Sequence, residues 1–99
     1  MNMPRLLDLF CGAGGAAMGY HLAGFDVTGV DCTPQPHYPF TFVCDDALTF
    51  LSRHGREYDV IHASPPCQAY STISRNKNRH PNLYVPTRDG IGVSTYPRN

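Results

Sequence analysis

Arg5-Leu6-Leu7-Asp8-Leu9-Phe10-Cys11-Gly12-Ala13-Gly14-Gly15 is a short, mostly apolar run that stops abruptly in a cluster of glycines. Near-continuous apolarity, rather than strict alternation, suits a parallel strand covered on both faces, and glycines at its carboxyl end suit a tight turn. Beyond the turn, Ala16, Tyr20 and Ala23 fall at i, i+4 and i+7, and Gly24 can take the left-handed conformation that ends a helix. The spacing predicts a short helix over 16–23. Strand, glycine turn and helix together make the first unit of an open α/β sheet, whose ligands gather at the carboxyl ends of the strands.

The rest of the chain extends that unit. Phe25 to Val30 reads as a second strand ending at Asp31, and Phe40 to Cys44 as a third. Between them Pro34-Gln35-Pro36-His37-Tyr38-Pro39 is too rich in proline for a regular helix. Asp46 is placed to cap a helix running to about Arg53. Tyr58-Asp59-Val60-Ile61-His62-Ala63 is a fourth strand, ended by Ser64-Pro65-Pro66 because proline cannot continue a ladder. From Ala69 to Asn99 the chain is polar and rich in Asn, Pro, Arg and Gly, with no stretch assigned to the core. The expected fold is therefore a partial Rossmann-like α/β sheet of the first four strands only, with an irregular C-terminal tail. Two parts follow from it: residues 1–68, which hold the strands and the candidate site, and residues 69–99, a basic loop-like segment and tail. Unless the tail or a partner covers it, Val60-Ile61-His62 is expected on an open sheet edge.

Composition narrows the class. At 99 residues the chain is a single small domain, able to bury about two-thirds of its unfolded surface. No apolar run approaches the ~20 residues that a membrane-spanning helix needs, and Met1 to Leu7 lacks the pattern of a secretory signal, so a cytoplasmic location is expected. Cys11, Cys32, Cys44 and Cys67 are irregularly spaced, with neither a Cys-x-x-Cys pair nor a His-x-x-x-His partner, which points to neither a disulfide framework nor a metal site. The net charge is zero, but residues 1–74 carry three basic and seven acidic groups and residues 75–99 five basic and one acidic. Neutrality argues against strong non-specific nucleic-acid binding, while the basic end can still touch phosphates.

Gly12-x-Gly14-x-x-Ala17 fits a dinucleotide fingerprint, in which small residues let the backbone approach a ligand. About 20 residues on, Asp31 ends the second strand, where a carboxylate can accept from two ribose hydroxyls. Asp46 follows the third strand and could accept from the exocyclic amine of adenine. Taken singly, a glycine here is a turn residue and an aspartate a cap or a solvated group. Placed together at three strand ends they describe an adenosine pocket, which an NAD-binding protein would also satisfy. Ser64-Pro65-Pro66-Cys67-Gln68 decides the chemistry, because two prolines hold the backbone ahead of a thiol on the same rim. A cysteine thiolate held there can add covalently to an electron-poor ring carbon of a substrate and make the neighbouring carbon nucleophilic. Cys11, Cys32 and Cys44 read instead as small buried hydrophobes.

With these residues assigned, the sequence resembles the cytosine carbon-5 DNA methyltransferase family: Asp8-Leu9-Phe10-Cys11-Gly12-Ala13-Gly14-Gly15 is similar to its first motif and Pro66-Cys67-Gln68 to its fourth. The stretches around Asp31 and Asp46, with the short proline-rich link, resemble compact phage and actinobacterial members, which implies a bacterial or phage-infected host cytoplasm. The resemblance implies a methyltransferase sheet holding S-adenosylmethionine through Phe10, Gly12, Gly14, Asp31 and Asp46. It also implies Cys67 as the nucleophile toward a cytosine flipped out of DNA, and Pro66, Gln68 and Arg75 as substrate contacts. Arg75, Lys77, Arg79 and His80 lie where the family has a mobile loop closing over DNA; a solvated charged loop is the competing reading. The family often has a bulky residue after the ribose-binding acid, where this chain has Cys32. No match to the family's Glu-Asn-Val motif, later arginine motif or target-recognition region is present, so the expectation is a truncated or split enzyme, with a complementary carboxyl-terminal half as a partner. Two rivals stay open: a non-catalytic S-adenosylmethionine-binding or interaction fragment, and an enzyme acting on RNA cytosine.

Overall fold

The computed structural model describes residues 3–65, 83–86 and 92–94, the last two segments as strand backbone with the side chain of Leu83. The elements are β1 (Arg5–Leu9), α1 (Gly15–Leu22), β2 (Asp26–Asp31), β3 (Thr41–Cys44), α2 (Ala47–His54), a 3₁₀ turn at Gly55–Glu57, β4 (Val60–Ala63), β5 (Leu83–Pro86) and β6 (Gly92–Ser94). They form one sheet in the order β3-β2-β1-β4-β5-β6. All neighbours are parallel except β5 and β6, which are antiparallel.

The apolar run at Arg5–Leu9 becomes the inner strand because it can be covered on both sides. Leu7 and Leu9 face α2 together with Val30, Ile61, Ala63 and Leu83, and meet Ala47, Phe50 and Leu51 of that helix. Leu6 and Val27 face the other way and pack with Ala17 of α1 and Tyr38. Removing each such large side chain from water contributes about 1.5–3 kcal/mol before chain entropy is set against it. Asp46 caps α2 as expected, its Oδ2 accepting from the backbone N–H of Thr49 at 2.9 Å. Gly24 ends α1 with φ of 102°.

Three expectations change. On α1 the residue turned fully inward is Ala17, joined by half-buried Tyr20, while Ala16 and Ala23 are exposed. The helix is too weakly amphipathic for its own pattern to fix the face, so the packing against Leu6 and Val27 decides it. The tail is not without a core residue: Leu83 is fully buried and β5 pairs with β4 through Ile61↔Leu83 and His62↔Tyr84. The four expected strands thus gain two more, and the edge of Val60–Ala63 is covered by the chain itself. Cys32 and Cys44 are exposed rather than buried.

The link between β2 and β3 holds no helix, as its prolines require. Tyr38 fills the helix's place. Its ring lies on the bare backbone of Gly29, where an added Cβ would stand 2.7 Å from Tyr38 Cε2.

Candidate active site

The carboxyl ends of β1, β2, β3 and β4 are laced together by backbone bonds. Cys11 N–H donates to the Val30 carbonyl (3.2 Å), Asp45 N–H to that of Asp31 (3.1 Å) and Ser64 N–H to that of Leu9 (3.3 Å). The glycine turn leaves β1 through Phe10, which is half-buried with φ of 58°. Left-handed backbone is uncommon for a bulky residue and concentrates at functional sites. Gly12 and Gly14 follow with φ of 57° and 102°. An added Cβ at Gly12 meets nothing within 4 Å, whereas at Gly14 it meets Pro39 Cδ at 2.9 Å and Tyr38 Cδ1 at 3.2 Å. One face of the turn is therefore open to a ligand and the other is braced from behind.

Asp31 closes the turn from the side. Its Oδ2 accepts from the N–H of Gly12 and its Oδ1 from the N–H of Thr33, both at 3.0 Å. Each carboxylate oxygen can accept more than one hydrogen bond, so both keep capacity for ribose hydroxyls. α1 begins at Gly15, and its N-cap Gly14 offers no side-chain cap; its first turn holds no acidic residue. Its leading amides thus add positive potential beside the turn. These features suit an adenosine-containing ligand at the position where Phe10, Gly12, Gly14 and Asp31 converge.

Asp46 sits apart in role. It is exposed, and Oδ2 takes both the backbone N–H and the hydroxyl of Thr49 at 2.9 Å. The Thr49 bonds hold its carboxyl below the usual carboxylate range. Its hydrogen bonds show it capping α2, at the carboxyl end of β3. Cys11 borders the turn as a thiol and not a thiolate: burial first, then the charges of Asp8 and Asp31, push it up to about 12. Pro66, Cys67, Gln68 and Arg75 lie outside the described residues. Among the described residues no group of His, Cys, Asp and Glu side chains is placed to hold a metal ion, and no helix is long and apolar enough to cross a membrane.

The structure adds residues that the sequence reading passed over. Asp8 is 2% exposed, in the middle of β1, with its Oδ2 3.2 Å from the Tyr38 hydroxyl and its Oδ1 3.3 Å from His62 Nδ1. An aspartate inside an apolar strand, and a histidine inside another, were the available signals, because a buried charge needs partners.

A family profile described as C-5 cytosine-specific DNA methylase matches residues 4–83, from the start of β1 to the first residue of β5. The chain belongs to that family. Among curated relatives, the type II methyltransferase M1.HphI of Haemophilus parahaemolyticus is 38% identical over 85 residues, covering 70% of this chain and 22% of its own. M.XorII of Xanthomonas oryzae pv. oryzae is 34% identical over 91 residues, covering 76% of this chain and 22% of its own. M.AgeI of Thalassovita gelatinovora is 32% identical over 100 residues, covering 83% and 23%. This methylase-family chain therefore spans about a fifth of the length of the relatives it matches. The crystal structure of a SAM-dependent methyltransferase from Agrobacterium tumefaciens superposes with a TM-score of 0.55 at 28% identity, over 66% of this chain and 26% of that one. The sheet is accordingly the methyltransferase type of Rossmann-like fold.

Proposed function

We propose that this chain is the cofactor-binding and nucleophile-bearing part of a DNA (cytosine-5-)-methyltransferase. The observation that carries the reading is the bond from Gly12 N–H to Asp31 Oδ2. It joins the glycine turn and the ribose-type carboxylate into one cradle, with its open face at Gly12. Phe10, Gly12, Gly14 and Asp31 would hold S-adenosylmethionine there, with Asp46 at the adenine end. When bound, the cofactor supplies the methyl group that ends on carbon 5 of cytosine.

Cys67 supplies the covalent step. Its thiolate adds to carbon 6 of a cytosine flipped from DNA, which places electron density on carbon 5. After transfer, carbon 5 loses its proton, the pair re-forms the 5,6 double bond, and the carbon–sulfur bond breaks to release the thiolate. Pro66 fixes the backbone at Cys67, Gln68 and Arg75 contact the substrate strand, and the segment 69–99 supplies basic groups for phosphate. A cytoplasmic location fits this reading. Because the chain spans about a fifth of its relatives, the full reaction is assigned to it together with the remaining parts of such an enzyme.

Isothermal titration with S-adenosylhomocysteine, with Asp31→Ala alongside, tests the cofactor half. Binding by the natural chain and its loss in the variant are expected; a natural chain that folds but takes up no ligand overturns the assignment. For the nucleophile half, a separately expressed carboxyl-terminal part of a relative is added and methyl incorporation into DNA is assayed. Activity that survives Cys67→Ser removes Cys67 from its role.

A further inference from the structure

One residue below the carboxyl rim a lateral row crosses the sheet. Gly29, Asp8 and His62 stand side by side on β2, β1 and β4. Tyr38 leans over Gly29 from above, and the ring of Tyr20 on α1 lies 5.2 Å from that of His62. Asp8, His62 and Tyr38 are all buried, at 2%, 7% and 8% exposure, and the proposed reaction uses none of them. No buried side-chain polar atom among the described residues lacks a hydrogen bond.

Donor and acceptor chemistry then fixes the direction of each bond. A carboxylate only accepts. The Tyr38 hydroxyl must donate to Oδ2, and His62 must donate through Nδ1 to Oδ1. Burial, followed by the charges of Asp8 and Cys11 and the bond to Asp8, raises the Tyr38 phenol above its ordinary range, so it remains a donor. With the hydrogen on Nδ1, the other nitrogen of a neutral imidazole is an acceptor. His62 Nε2 lies 3.5 Å from Ser64 Oγ, whose hydroxyl is at the exposed exit of β4.

We propose that Asp8 and His62 are positioning residues of the site. Asp8 holds His62 in the Nδ1–H tautomer, Nε2 orients the Ser64 hydroxyl three residues ahead of Cys67, and the same carboxylate seats Tyr38 behind Gly14. The inference rests on the reading of the glycine turn as the cofactor cradle. It makes one buried carboxylate the common support of the cradle and of the strand exit that leads to the nucleophile, so a ligand pressing on Gly14 is felt at His62 through Tyr38 and Asp8.

The test is ¹⁵N NMR of the full 99-residue chain, with the His62 ring signals assigned by their loss in His62→Gln and S-adenosylhomocysteine titrated in parallel by calorimetry. The expected result is a protonated Nδ1 and an unprotonated Nε2 in the natural chain, with signals that move on ligand binding. Asp8→Asn has the same shape but an amide that donates. With its oxygen still accepting from the Tyr38 hydroxyl and its NH2 turned to His62, it should switch His62 to the Nε2–H form, as an inverted donor does in a carboxylate–histidine pair, and weaken ligand binding about fivefold, the worth of roughly one hydrogen bond. An Nε2–H form in the natural chain, or unchanged tautomer and affinity in Asp8→Asn, overturns the proposal. So do His62 signals that stay fixed while calorimetry reports binding. Should Asp8→Asn fail to fold, Tyr38→Phe carries the test: the tautomer stays Nδ1–H and affinity falls, whereas unchanged affinity refutes the brace. If the natural chain binds no ligand at all, the cofactor cradle and its link to His62 fall together; the ligand-free tautomer is read independently and tells that failure apart.

Discussion

At Gly29 the backbone carries a tyrosine ring where any other residue would put a side chain. Gly29→Ala would drive its new methyl into the Tyr38 ring. The ring cannot step aside without losing its bond to buried Asp8. Overpacking of this kind costs about 1–3 kcal/mol, expected as a lower midpoint in urea denaturation; a midpoint equal to that of the natural chain would show that the ring is free to move. Cys11 gives a second prediction at this scale. Its pKa of about 12 leaves almost no thiolate at pH 8, so iodoacetamide should label exposed Cys32 and Cys44 well before it, as peptide mass spectrometry would record. The glycine turn and the strand-end position of Asp31 are legible in the sequence because each is written in a short local pattern, whereas the bond that joins Gly12 to Asp31 spans 19 residues and is not. Asp8, His62 and Tyr38 are not legible either, since their meaning arises only when positions 30 and 54 residues apart come into contact.

Among the elements, α2 illustrates how a local signal survives into the structure. Its cap is a short-range contact between Asp46 and Thr49, so the sequence alone displays it. Asp46→Ala should lose about 1 kcal/mol of stability. Asp46→Asn should keep most of the cap but lose its pH dependence. The native carboxyl titrates below the ordinary carboxylate range, so its contribution is full above that range and disappears as pH falls through the lowered value. Urea melts taken from about pH 5 down to about pH 2 should therefore show the natural chain declining toward the Asn variant. Parallel traces across that window would deny the cap its charge. β5 is the opposite case. Leu83-Tyr84-Val85-Pro86 is brief and is set among polar residues, so nothing in its own pattern marks a strand; pairing with β4 and the shelter of the α2 side bury Leu83. Leu83→Ala should cost about 2–4 kcal/mol in thermal or urea unfolding. The face of α1 is not legible for a related reason: a helix with few polar residues presents several apolar faces, and the sheet selects one.

For the molecule as a whole, stability depends on covering β4. A domain of this size commonly has about 5–15 kcal/mol in hand, so losing the β4–β5 pair is a large fraction of it. A chain ended after residue 82 should lose hydrogen-exchange protection at Ile61 and His62, which the full chain keeps. Equal protection in both would place the closure of that edge elsewhere. The α/β class and the convergence of strand ends were legible because the parallel strands are written as apolar runs ended by Gly, Asp or Pro. The width of the sheet was not, because it is completed by a segment whose character is set by its partner.

The strand order has a bearing on how the chain comes into being. β1, made first, occupies the interior of the sheet, and its two neighbours emerge at very different times: β2 begins at Asp26, but β4 only at Val60. On the ribosome, β1 can zip to β2 and β3 early, while its opposite flank waits, still sticky, until translation reaches β4. The same inner strand carries Asp8 on one face, and Asp8 meets Tyr38 well before it meets His62. An early half-sheet therefore holds a carboxylate already bonded to Tyr38 and still short of its second partner, and its pairing is completed only when His62 is made.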